Sequence, residues 1–280
     1  MPIRILTTIC FFLIANFNLS SQNYFTVGAG ITGYDGDIPS LNTNSVLKSE
    51  KGLSLSISYR KAFSPLVSAK VAFEYLTIKG NDNIASREVI QQRNLRFETS
   101  IIDGEIGLII YPLKPIANIN TYFGLGISTF FYNPTTDLNG TKYNLRDYGT
   151  EGQLIGTSNT KSYSNFGYSL PITIGHEFPI GNNSSIYLEL KYRITQSDYL
   201  DDVSSIYRDP EDLLTSNSLD PNITLQLADR SGEISPDLLH TPGSQRGNPD
   251  LNDRFLSLTL GFKTPINIDL KKNKLSCPTF

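Results

Sequence analysis

The chain has 280 residues, a net charge of -3, 18% charged residues and 11% aromatics, with 15 Tyr, 15 Phe and no Trp. Charge this sparse lies below the roughly 25% of an average soluble protein. The mildly acidic balance gives no electrostatic case for a nucleic-acid partner.

The N-terminus comes first. One positive charge in Met1–Arg4 precedes an apolar run, Ile5–Phe17, broken only by Thr7, Thr8 and Asn16, and small residues follow at Ser20 and Ser21. This is the pattern of a cleaved secretory signal, expected over residues 1–21. The run is shorter than the roughly 20 apolar residues of a spanning helix. Cys10 lies inside it, which leaves Cys277 as the one cysteine of the mature chain. An intramolecular disulfide is then excluded, and a lone cysteine makes a poor metal site.

From residue 22 onward, strict apolar/polar alternation recurs eight times: Tyr24–Tyr34, Leu53–Phe63, Leu66–Ile78, Phe97–Tyr111, Asn118–Tyr132, Tyr163–Phe178, Ile186–Thr195 and Phe255–Lys263. Period two is the mark of a strand, and runs of about 9–11 residues suit a tilted strand that crosses a membrane. The connections alternate in length. Those at Ser64–Pro65, Pro112–Ala117 and Ile180–Ser185 are short, whereas those at about 133–162 and 200–254 are long. Prolines 65, 112, 115, 179 and 265 all fall at one end of the strands, as suits rims and turns. Tyr111, Tyr122, Phe123, Phe178 and Tyr187 gather near one rim, and Tyr75, Phe97, Phe130, Phe131, Tyr132, Phe166, Tyr168 and Phe255 near the other, as two aromatic girdles would. The expected fold is all-β: an eight-stranded antiparallel transmembrane β-barrel of the outer-membrane type over residues 22–266, with periplasmic turns, long extracellular loops and a periplasmic tail at 267–280.

The polar parity carries charge of both signs: Glu74, Asp103, Glu105 and Glu189 with Arg60, Lys70, Lys191, Arg193 and Lys263. In a barrel this narrow the lumen is filled by side chains. The charges are therefore expected to pair into a closed network rather than line a channel, since an unpaired buried charge costs several kcal/mol. Catalysis has little support. The two histidines are His176, placed outward near the periplasmic rim, and His240, in the last loop, and neither has a serine or a metal ligand beside it in sequence. The last loop carries eleven Asp or Glu against four Arg, with Asp201 and Asp202 adjacent. Converging carboxylates can hold calcium, while a solvated acidic surface is the simpler expectation. No cofactor is expected.

Several stretches carry a resemblance: Tyr122–Ile127 closing with Phe131–Pro134, Gly149–Gln153, Ser197–Val203, Gln245–Asp250 and the terminal Cys277–Phe280. Together they resemble a family of Bacteroidota outer-membrane barrels that includes the PorG-like barrel subunit of the type IX secretion and gliding machinery. The resemblance implies a non-enzymatic anchor, embedded in outer-membrane lipids, for periplasmic ring or lipoprotein subunits. Its contact surface would be the short turns and a tail bearing Lys271, Lys272, Lys274, Cys277 and Phe280. The residues alone leave open a free-standing barrel that binds an external ligand through its loops, and a small porin. The motifs themselves fall mostly in loops and at rims, where recognition usually resides.

Overall fold

The computed structural model describes residues 22–40, 49–156, 162–181 and 183–266. The expected signal at 1–21 and tail at 267–280 lie outside the described residues. The strands are β1 (Gln22–Asp35), β2 (Gly52–Ala62), β3 (Val67–Asn81), β4 (Arg96–Ile110), β5 (Thr121–Leu138), the short β6 (Thr141–Asn144), β7 (Phe166–Gly181), β8 (Ser184–Thr195) and β9 (Arg254–Ile266). Among the described residues four short α-helices lie between them: α1 (Glu88–Arg93), α2 (Lys114–Ala117), α3 (Pro210–Leu214) and α4 (Pro221–Ala228).

β6 pairs with β5; the other eight strands each pair antiparallel with the next, so that β5 meets β7, and β1 pairs β9. The sheet is thus closed, and eight strands make the barrel. Closure is what a sheet needs in hydrocarbon, because no strand edge is left without a partner. β1 and β9 meet with Asn23 opposite Ile266 at the short-turn end. The sequence pattern missed β6. β5 runs on to Leu138 and turns back through Asn139 and Gly140, both at positive φ. An Asn-Gly pair at positive φ is the favoured two-residue hairpin turn, so the segment expected as a loop from residue 133 begins with a β-hairpin.

The outer surface is apolar all the way round. Leu53 is 70% exposed and Ile127 66% exposed, and Phe25, Leu55, Phe73, Ile106, Leu125, Leu170, Ile172, Leu188, Leu190 and Leu260 also stand outward. A belt supplied by all eight barrel strands has no place in water, and it is the surface of a membrane-spanning barrel. Short turns at one end and long loops at the other match the outer-membrane arrangement, with the short turns periplasmic.

The aromatic girdles need correction. Phe123 and Phe178 at the short-turn end, and Tyr75, Phe131 and Tyr168 at the other, do stand outward. Tyr111, Tyr122 and Tyr187 at one end, and Phe97, Phe130, Tyr132 and Phe255 at the other, are buried inside. Side-chain parity decides this: Tyr122 and Tyr187 share the inward parity of their strands with Gly124 and Glu189. Nearness to a strand end says nothing about which face a ring takes.

The inside and outside parities should respond differently to charge. Leu190→Arg or Leu258→Arg is expected to cost roughly 2–4 kcal/mol near the bilayer midplane, measured by reversible folding into lipid vesicles. Ser257→Arg, on the inward face, should act by crowding instead. Equal tolerance at both parities would show that the belt does not meet lipid.

Candidate functional site

The lumen is occupied by one ionic network, and all nine residues expected there take part. From the short-turn end, Lys263 pairs with Glu177. Arg60 bridges Glu177 at 3.3 Å and Glu189 at 3.0 Å. Lys70 meets Glu105 at 2.6 Å, and Lys191 lies between Glu105 at 2.9 Å and Glu74 at 3.1 Å. Arg193, fully buried, reaches Glu74 at 2.5 Å and Asp103 at 3.2 Å. Glu177, on the inward parity of β7 and not among those nine, completes it. With Glu177 the network balances at five acids and five bases. Buried tyrosines add a second donor to the carboxylate oxygens that Arg60 contacts: Tyr111 donates to Glu177 at 2.7 Å and Tyr122 to Glu189 at 2.8 Å. The Arg60 guanidinium sits 5.1 Å from the ring centres of both Tyr122 and Tyr187, within cation–π range.

Above the ions the inward face turns apolar. Leu76, Ile78, Phe97, Ile101, Phe130 and Phe255 form a layer into which Leu200, Val203 and Leu227 descend from the last loop. Alternation signalled the outward face and gave no hint that the inward residues change character along the strand. The long loops above this layer are locked into a crown. Glu151 accepts hydrogen bonds from the backbone N–H groups of Ser204 (2.9 Å) and Ser205 (3.1 Å), and pairs with the buried Arg246 at 2.9 Å. Arg246 also donates to the carbonyls of Asp202 and Ala228. Asp37 accepts from the N–H of Asn248 at 2.9 Å. Arg93 grips Asp82 with two hydrogen bonds and reaches the carbonyls of Asp37 and Arg246. The stretches Gly149–Gln153, Ser197–Val203 and Gln245–Asp250, expected to be recognition surface, are thus in large part the crown's internal fastenings.

Asp201 and Asp202 belong to the same fastening and do not converge on a cation. Asp201 accepts from the N–H of Ile38 and of Val203, while Asp202 accepts from the Thr150 and Tyr163 hydroxyls. Among the described residues no group of three or more His, Cys, Asp or Glu is arranged to hold a metal ion. His240 does acquire a serine neighbour that the sequence could not show. Its Nδ1 lies 3.1 Å from Asp229 and 3.5 Å from Ser231 Oγ. Ser231 is fully buried, and its hydroxyl donates to Asp229 at 2.6 Å. Serine and carboxylate therefore share one ring nitrogen, whereas nucleophile activation needs them on opposite nitrogens. His176 faces outward near the short-turn rim, 2.8 Å from Thr121 Oγ1.

No family model matches the chain, and no curated protein matches it. Solved structures of similar shape include Neisserial surface protein A (11% identity, 86% of this chain and 96% of that one, TM-score 0.39). Another is Ail, the attachment invasion locus protein of Yersinia pestis (10%, 88% and 99%, 0.40). A third is a major outer membrane protein from Thermus thermophilus (13%, 87% and 99%, 0.40). The barrel rests on its own closed ladders and apolar belt, which make this chain an outer-membrane barrel.

Two outcomes follow from this interior. Planar-bilayer recordings should show little steady conductance, and Arg193→Ala should cost roughly 3–5 kcal/mol, because it strands Glu74 and Asp103. A large ion-selective current in the unaltered protein would refute the plug. The second concerns pH. Burial pushes the Asp198 carboxyl up to about 7, and pushes Asp202 up to about 6 against the pull of Arg246. Burial raises Asp201, with the charge of Asp37 nearby, and Asp253, with the charge of Asp201 nearby. Asp37 and Glu151 add negative charge around them, and Arg93 and Arg246 oppose it. Carboxyls raised in the folded state make the crown most stable in acid. That stability falls as pH rises from about 4 and is spent once the folded carboxyls have ionised. Hydrogen exchange over residues 197–205, corrected for intrinsic rates, should therefore be faster at pH 8 than at pH 5. Equal or slower exchange at pH 8 would reject this.

Proposed function

We propose that this chain is a closed, non-enzymatic outer-membrane barrel whose work is recognition at the long-loop end. The observation that carries the reading is the interlocked crown. Loops fastened by Glu151, Arg246, Arg93 and Asp37 meet a partner already ordered, so little conformational entropy is lost on binding. The crown also offers something to bind. Leu214, Leu219, Ile234 and Leu239 stand exposed on it among Asp209, Glu211, Asp212 and Asp237. Leu239 also lines a cavity of 530 Å³ together with Tyr207 and His240, whose rings stack with centres 4.1 Å apart. Apolar side chains in an acidic rim suit a partner that brings apolar groups flanked by positive charge.

A second reading follows the type IX secretion resemblance, in which the barrel anchors periplasmic subunits. It is favoured by the strand pair Asn23–Ile266, which puts the last described residue of β9 at the short-turn end. The two readings separate experimentally. Leu214→Ser with Leu219→Ser and Leu239→Ser should abolish capture of an external partner by intact cells and leave a heat-modifiable barrel. Deletion of residues 267–280 should leave that capture unchanged. If the crown variant keeps every partner and the tail deletion loses them, the anchoring reading replaces the first.

A further inference from the structure

The cavity at Tyr207 and His240 lies where two short helices meet: α3 supplies Pro210 and Leu213, and α4 supplies Leu225 and Ala228. The carboxylates of its lining are already committed. Glu233 accepts from Arg230 and Asn94. Asp229 accepts from the Ser231 hydroxyl and from the backbone N–H of His240. Both Asp229 oxygens also lie 3.1 Å from His240 Nδ1, so that nitrogen carries the proton of the neutral ring. Nε2, on the opposite edge, is left with a lone pair, and among the described residues nothing donates to it. The Tyr207 ring, 4° from parallel, holds the imidazole in this orientation. Apolar walls thus surround a fixed acceptor. Arg208 lines the cavity too, tethered through Nε to the Glu151 carbonyl at 2.8 Å.

The surroundings decide what enters. Residues 207–240 carry seven Asp or Glu against two Arg. Five of the seven, Asp209, Glu211, Asp212, Asp220 and Asp237, are exposed. A second copy of this chain would bring the same charge and be repelled, whereas a basic segment would be drawn in. A volume of 530 Å³ falls in the range of small-ligand sites, roughly 300–1,000 Å³. The apolar surface does not stop at the cavity, however. Leu239 lines it and is still 57% exposed, and exposed Leu214 and Ile234 directly follow the lining residues Leu213 and Glu233. Covering that surface takes a protein.

We infer that the cavity receives one aromatic side chain with a donor at its tip, a tryptophan or a tyrosine, from a basic segment of a protein partner. The inference rests on recognition at the long-loop end. The ring fills the space between Leu213, Leu225 and Leu239, its N–H or O–H donates to His240 Nε2, and the basic flanks meet the acidic rim. Tryptophan and tyrosine are the side chains that carry most interface energy when seated in such pockets.

The chain has no tryptophan, so the emission of a tryptophan peptide reports its own burial. The full barrel, in a non-ionic detergent, is titrated with a five-residue peptide that has tryptophan between pairs of lysines. It should bind with a blue shift. Methylating the indole nitrogen, or replacing the lysines by glutamates, should each weaken binding at least tenfold. His240→Phe keeps a ring on Tyr207 and removes Nε2. It should weaken the basic peptide at least tenfold and erase the difference that methylation makes, which a purely structural histidine would not do. Leu225→Arg should abolish binding; if it fails to fold, His240→Phe alone decides. Equal binding of the methylated or the acidic peptide would overturn the proposal, as would N-acetyltryptophanamide binding as tightly as the basic peptide, the mark of a small-molecule site. If the peptides fail while the triple serine variant still loses capture by intact cells, the pocket falls and recognition at the crown stands.

Discussion

An eight-stranded barrel has room inside for side chains and little else, so every charge that alternation sends inward must find its counter-charge there. Arg193, held between Glu74 and Asp103, and Arg60, held between Glu177 and Glu189, meet this constraint at the two ends of the network. Lys191 joins the ends, reaching Glu74 on one side and Glu189 at 3.7 Å on the other, and it shares Glu105 with Lys70. The strands supplying these groups are far apart in sequence, with Arg193 and Glu74 separated by 119 residues. A strand that slipped by one residue would put its charges into lipid and its leucines into the network. The ions therefore fix the register of the barrel as much as they fill it.

The crown depends on that register in turn. Arg193 packs its guanidinium 5.0 Å from the Phe255 ring, and Phe255 packs edge-on against Phe130. This aromatic layer is the floor on which Leu200, Val203 and Leu227 rest. Charge and apolar packing alternate along the barrel axis: ions, then rings and aliphatic side chains, then the buried Glu151–Arg246 pair above. The apolar layer caps the ions below it, which lowers the local dielectric and strengthens the pairs it covers.

The strands and lumen charges were legible in the sequence because period two reports one thing unambiguously, the face a side chain takes. Leu53, Leu55 and Ile57 against Ser54, Ser56 and Ser58 could be read in no other way. What alternation could not report is height along the axis. Phe97, Phe130 and Phe255 looked like girdle residues because they sit near strand ends, yet they point inward and make the floor of the crown. The hairpin at Asn139–Gly140 was written in the sequence as a turn signal, but the loop around it hid the strand behind. The crown itself was illegible for a different reason. Glu151 and Arg246 lie 95 residues apart, and no local pattern announces that they will meet.

The Tyr34 hydroxyl donates to Asp253, and the two residues lie 219 positions apart. Asp253 immediately precedes β9, and Tyr34 stands near the end of β1. Contacts of such sequence separation form late, because the intervening chain must first be ordered. The tie between Tyr34 and Asp253 brings together the two strands whose meeting shuts the cylinder, so the crown cannot complete before the last seam does. Its loops must therefore reach the far side of the bilayer as unstructured chain, and any machinery that inserts the barrel handles them in that state. Assembly then runs in a fixed order, with the wall first and the roof last, and a chain stalled before β9 pairs would expose an unfinished edge and an untied roof at once.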